Sequence, residues 1–247
     1  MKIEIAANSF ESALIADKAG VDRIELCANL ELGGTTPTPG QLICVKDNLN
    51  IPVNALIRPR GGDFIYSELE FKEILESIRF CKQIGINGVV IGFLTIDGKV
   101  DLDKTLKAME QAKGMDITFH RAFDQCMNQE KCLEDLITLG IPRVLTSGGQ
   151  NSAPEGIKKI NKLIELAGDD IIIMPGGGVN ENNILDIETY TGAKEFHMSG
   201  KSEIKSPVEY RNKALELINK DDIHEYNYLR SNYEKILRIM DRINNRK

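Results

Sequence analysis

The chain has little that would send it to a membrane, a secretory route or nucleic acid. Its longest apolar runs are about strand length, far short of the roughly 20 residues of a spanning helix. Met1-Lys2-Ile3-Glu4 enters a strand pattern at once, with no apolar leader before it. No block of like charge stands out, and the net charge is -6, from 31 Lys plus Arg against 37 Asp plus Glu. A general nucleic-acid binder would carry a basic face instead. The five cysteines, Cys27, Cys44, Cys81, Cys126 and Cys132, are odd in number and form no CxxC pair. That favours reduced thiols in a cytoplasmic protein over a disulfide framework. No glycine-rich dinucleotide fingerprint follows the first strand, where Ala6-Ala7-Asn8-Ser9 stands, so a Rossmann fold is disfavoured.

What is present is a regular alternation. With 42% hydrophobic residues and no linker over 247 positions, the chain can bury the core of a single domain. Strand patterns fall at 2–6, 23–27, 52–57, 88–92, 116–119, 143–146, 171–174 and 195–198, each followed by a helical pattern. Helix-start signals recur: Asn8 with Glu11, Thr38 with Pro39 and Gln41, Ser67 with Glu70, Ser152 with Glu155, and Asn180. From about Tyr226, residues Leu229, Tyr233, Ile236, Leu237 and Met240 suggest a long amphipathic helix, the end of a helical extension over 212–247. His224 is expected at the surface. Eight βα units in about 250 residues predict an α/β chain folded as a (β/α)8 TIM barrel. A doubly wound open sheet is the alternative.

Strand parity then sorts the polar residues. Ile3 and Ile5 alternate with Glu4, and Ile24 and Leu26 with Glu25. Val53, Ala55 and Ile57 alternate with Asn54 and Arg58, and Phe196 and Met198 with His197 and Ser199. If the apolar set faces the helices, Glu4, Glu25, Asn54, Arg58, Thr118, His120, His197 and Ser199 face the barrel interior. A structural barrel fills that space mainly with Val, Ile and Leu. Buried carboxylates need partners, a ligand or a metal. The bland alternative is a closed network of Arg58 with the glutamates. The fifth strand ends in Thr118-Phe-His-Arg-Ala-Phe-Asp124, which places His120, Arg121 and Asp124 where barrels keep their chemistry. Gly148-Gly149 after strand six and Gly176-Gly177-Gly178 after strand seven could cradle an anion through bare amides. Alternatively, these glycines serve only tight turns.

These motifs resemble a known family. Arg23-Ile-Glu-Leu-Cys27, Gly33-Gly-Thr-Thr-Pro37, Ile57-Arg-Pro-Arg-Gly-Gly-Asp-Phe64, Thr118-to-Asp124, Arg143-Val-Leu-Thr-Ser-Gly148 and Met174-Pro-Gly-Gly-Gly-Val179 are together similar to the CutC family of copper homeostasis proteins. The likeness runs from the first strand to about residue 211. It implies a cytoplasmic TIM barrel, a homo-oligomer, and copper as a bound ion. It carries over Glu25, Cys27, Arg58, Arg60, Asp63, His120, Arg121, Asp124, Ser147 and His197. Some members have a cysteine near the end of strand one, where this chain has Ala6.

Two functional expectations follow. One is a copper homeostasis protein with Cys27 as metal ligand. The other is an enzyme of lyase, isomerase or hydrolase type acting on a small phosphorylated or carboxylated metabolite. In the second, Glu25, His120, Arg121, Asp124 and His197 do the catalytic work. Arg58, Arg60, Ser147, Gly148, Gly176, Gly177, Gly178 and Ser199 hold the anion. Neither expectation includes a nucleic-acid or membrane partner.

Overall fold

The computed structural model describes residues 1–212, 214 and 226–245. The strands β1 (Lys2–Ala7), β2 (Arg23–Leu26), β3 (Val53–Leu56), β4 (Gly88–Ile91), β5 (Asp116–Phe119), β6 (Arg143–Thr146), β7 (Ile172–Pro175) and β8 (Glu195–Met198) form one eight-stranded parallel sheet. Its order is β7-β6-β5-β4-β3-β2-β1-β8, and β7 lies beside β8 to close the ring. The helices α1 (Phe10–Lys18), α2 (Pro39–Asn48), α3 (Glu68–Gln83), α4 (Leu102–Gln111), α5 (Gln129–Leu139), α6 (Ile157–Ala167) and α7 (Ile184–Thr191) alternate with the strands. This is the (β/α)8 barrel that the alternation predicts. No described helix is long and apolar enough to cross a membrane.

The core lies between barrel and helices. Ile3, Ile5, Ile24, Leu26, Val53, Ala55, Val89, Ile91, Phe119, Val144 and Phe196 belong to one buried cluster with the inward faces of the helices. Burying side chains of this size contributes about 1.5–3 kcal/mol each. The capping boxes Thr38/Gln41 and Ser67/Glu70 start α2 and α3 as expected.

Three other helix starts differ from the sequence reading. Ser9, not Asn8, caps α1 by accepting from Ser12 N, which leaves Asn8 Nδ2 to donate to Leu229 O. Gly156 and Asn183 occupy the cap positions of α6 and α7, each without a side-chain cap bond. There the segments from Ser152 and Asn180 are turns, held by Ser152 Oγ donating to Glu155 and Asn182 N donating to Asn180 Oδ1.

The end of the chain also corrects the sequence reading. Asn227–Ser231 is a strand, β10, paired antiparallel with β9 (Lys201–Lys205). The helix α8 (Tyr233–Asn244) begins only after Asn232, whose side chain accepts from Lys235 N. Hairpin bonds with a partner distant in sequence outcompete the local helical pattern around Leu229. Residues 213 and 215–225, and with them His224 and most of the expected extension, lie outside the described residues.

Charge at the strand starts is the feature that most constrains stability. Arg23 and Arg143, on opposite sides of the barrel, both donate to Oε2 of Glu195, at 2.8 and 2.7 Å. All three are buried. Removing one partner of a buried ion pair costs about 3–5 kcal/mol. Glu195→Gln should sit near the lower end, about 3 kcal/mol, because Arg23 keeps Glu4 and Arg143 keeps Asp116. Urea unfolding checks this, and a loss under about 1 kcal/mol would contradict it.

Candidate functional site

The inward parity builds the interior in layers. At the strand starts, Glu4 pairs with Arg23, Arg23 with Glu195, Glu195 with Arg143, and Arg143 with Asp116 at 2.8 Å. Arg143 also donates to Thr118 Oγ1 at 3.2 Å, and Asn54 Nδ2 to Asp116 at 3.2 Å. A closed ion network therefore does exist, but Arg23 and Arg143 build it, not Arg58. The same parity that marked Glu25, His120 and His197 also marks Arg23, Asp116 and Glu195, two or four residues upstream, and Arg143 at the start of β6. The sequence reading missed them because it looked toward the strand C-terminal ends.

One step up lie Glu4, Glu25 and His197. His197 Nε2 is 2.9 Å from Glu25 Oε2 and 3.9 Å from Glu4 Oε1. These are ion-pair distances without hydrogen-bond alignment, and all three atoms are buried with no hydrogen-bond partner. Burial pushes the Glu4 carboxyl up, against the pull of Arg23 and His197. Gly176 leaves room here for Leu145 and His197, since a Cβ on it would lie 2.4 Å from Leu145 Cδ1 and 3.2 Å from His197 Cβ.

Above them, a cavity of about 90 Å³ opens at the strand C-terminal ends, room for about three water molecules. Glu25, Cys27, Arg58, His120, Arg121 and His197 line it with Phe64 and Leu56. Among the described residues no lysine lines it. His120 follows β5, and its Nδ1 accepts from Ala122 N at 3.1 Å. The ring proton of the neutral imidazole therefore sits on Nε2, which is buried and without a partner. Burial, with Arg58 adding, holds the imidazole pKa down at about 3. His120 is thus a fixed donor near neutral pH. Gly92 is what admits it, because a Cβ there would lie 2.4 Å from the ring.

The expected anion ligands divide. Arg58 lines the cavity, but its guanidinium donates to the carbonyls of Leu32, Gly34 and Gly62, leaving Nε bare. Arg60 lies outside, paired with Glu70 and Asp63. The amides of Gly148 and Gly176 are spent on Thr146, and Gly149 donates to Asp124. Asp124 also accepts from Thr146, Ser147 and the Arg121 Nε. With Ser147 it positions Arg121, and neither lines the cavity. Arg121 Nη1 donates to nothing among the described residues and rests against Gly177. The amides of Gly177 and Gly178, both at positive φ, have no acceptor among the described residues. Ser199 follows β8 and does not line the cavity.

A larger hollow of about 550 Å³ lies at the opposite end of the barrel, lined in part by Met1, Ile164, Ile172 and Lys194. None of the unpartnered buried polar atoms belongs to its lining.

Cu(I) fits Cys27 poorly. Cys27 is fully buried, and burial with Glu25 beside it pushes the thiol far above its usual range. Copper binds the thiolate. The Met174 thioether accepts from Arg23. The His and carboxylate group whose donor atoms converge does not include Cys27.

Comparison with known proteins agrees on the family. The CutC family model matches residues 1–202. A family protein CutC of Parabacteroides distasonis is 45% identical over 95% of this chain and 97% of its own. A copper homeostasis protein cutC homolog of Homo sapiens is 45% identical over 86% of this chain and 78% of its own. A solved CutC structure from Streptococcus agalactiae superposes with a TM-score of 0.77 at 34% identity, covering 81% of this chain and 98% of that one.

The depressed pKa of His120 has a signed consequence. Its unfolded value is about 6.5, so its contribution to stability is full above that pH and falls away as pH drops toward 3. Between pH 7 and pH 5, wild type should lose about 2 kcal/mol more than His120→Gln. Urea unfolding of both proteins at the two pH values measures this. Equal losses would show that His120 titrates normally.

Proposed function

The chain belongs to the CutC family, and we propose that it acts as an enzyme on a small carboxylated or phosphorylated metabolite bound at the C-terminal mouth of the barrel. The observation that carries this is the buried, unpartnered Nε2–H of His120 in the same cavity as Glu25 and His197. An orphaned buried donor costs about 1–3 kcal/mol, and a ligand oxygen would recover it. In this reading, His120 donates to a carbonyl or carboxylate oxygen and stabilises negative charge developing there. Glu25 and His197 take up and return the proton. Arg121, held rigid by Asp124 and Ser147, turns Nη1 with the Gly177 and Gly178 amides toward the anionic group.

Copper homeostasis, the role for which relatives are named, would then follow from that chemistry and not from a thiolate site at Cys27. Five free cysteines suit a cytoplasmic setting. For the expected homo-oligomer, the exposed Leu69, Ile96 and Met127, on successive βα units at the mouth end, offer the contact.

Metabolite capture from cell extract, read by mass spectrometry, tests the proposal. Wild type should enrich a small carboxylate or phosphate ester. Arg121→Ala should weaken its binding by about 10- to 100-fold, the loss of one charge-assisted contact. No enrichment by wild type, or enrichment indifferent to Arg121→Ala and His120→Gln, would overturn it. In chelator competition, Cu(I) binding should be the same for wild type and Cys27→Ala. A drop in the variant would restore Cys27 as a ligand.

A further inference from the structure

We propose that Glu4, Glu25 and His197 form a binding site for a divalent transition-metal ion at the floor of the cavity. The three side chains come from adjacent strands β1, β2 and β8, where Glu4 is in register with His197. Their donor atoms, Glu4 Oε1, Glu25 Oε2 and His197 Nε2, all lie within 4.8 Å of one another. Ligand atoms about 2.1 Å from a tetrahedral ion lie roughly 3.4 Å apart. The observed separations of 2.9 and 3.9 Å from His197 bracket that value.

Two independent observations point to an ion. The first is that every one of these atoms is buried without a hydrogen-bond partner, and Glu4 Oε1 has only His197 at 3.9 Å. A proton shared by His197 and Glu25 would leave Glu4 Oε1 bare, whereas one cation satisfies all three. The second is charge. The connected network holds the carboxylates of Glu4, Glu25, Glu195 and Asp116 against the guanidiniums of Arg23 and Arg143. Four against two is an excess of carboxylate, with only Asp116 partly open to solvent. Lys2 approaches Glu195 only at 3.9 Å, from solvent. A divalent cation between Glu4, Glu25 and His197 would offset that excess.

The donor set selects the ion. Two carboxylate oxygens and an imidazole nitrogen suit Zn²⁺, Mn²⁺ or Fe²⁺ better than soft Cu(I). Glu25 and His197 line the cavity, so the open coordination positions face it. An ion on Glu25 and His197 would take over the proton-handling role proposed for them and leave His120 and Arg121 as the groups that face a metabolite, while metal binding itself is read with no metabolite present.

Zn²⁺ affinity and stoichiometry, measured on the full chain by competition with a chromophoric chelator, decide it. Wild type should bind one equivalent. His197→Gln and Glu25→Gln should each weaken binding by about 100-fold or more. Cys27→Ala and His120→Gln should bind as wild type does. Co²⁺ should give wild type the visible bands of a low-coordinate site, lost in His197→Gln. Glu25→Gln keeps the side-chain shape, and urea unfolding confirms that each variant is folded. No saturable Zn²⁺ binding by wild type, or binding undiminished in both ligand variants, would overturn the site.

Discussion

Arg23 and Arg143 reach across the barrel from opposite strands and meet on a single oxygen of Glu195. Most barrels fill this level with aliphatic side chains. Here it is filled with charge, and a buried charge is tolerated only when its partners are fixed. Each guanidinium is therefore pinned on two sides, Arg23 between Glu4 and Glu195, and Arg143 between Glu195 and Asp116. The strand starts are locked together by this chain of ion pairs. What stands above it inherits a rigid base.

The consequence is that Glu4 cannot move. One of its oxygens belongs to Arg23, so the other is held facing Glu25 and His197. Those residues in turn form one wall of the small cavity, with His120 and Arg121 in the same lining. The glycines do related work. Gly92 gives His120 its place, and Gly176 gives His197 its place. Asp124 spends its carboxylate on the loop after β6 and on Arg121. The site thus has polar atoms aimed inward and a scaffold of ion pairs that keeps them there, the arrangement expected where side chains must be preorganised.

Much of this was legible in the sequence, for a definite reason. Parallel strands buried on both faces alternate with period two. One polar residue between two aliphatic ones, as in Ile3-Glu4-Ile5 or Phe196-His197-Met198, could then point only into the barrel. Glu4, Glu25, Asn54, Thr118 and His120 are indeed buried there. What parity could not give is how a side chain is spent. Arg58 is inward, yet irregular loops carrying Leu32, Gly34 and Gly62 bring carbonyls to its guanidinium. Arg60, two residues on, turns outward to Glu70. The β9–β10 hairpin was hidden because Leu229, Tyr233 and Ile236 also fit a helix, and strand pairing depends on a partner far along the chain.

The cavity holds a neutral histidine whose proton is fixed on Nε2 by the Ala122 amide at Nδ1. Long-range proton–nitrogen correlation NMR on uniformly ¹⁵N-labelled protein at neutral pH reads this tautomer directly, with His120→Gln to assign the signals. His120 should show an Nε2–H imidazole, with Nδ1 shifted as an acceptor. An Nδ1–H tautomer or an imidazolium at that position would contradict it.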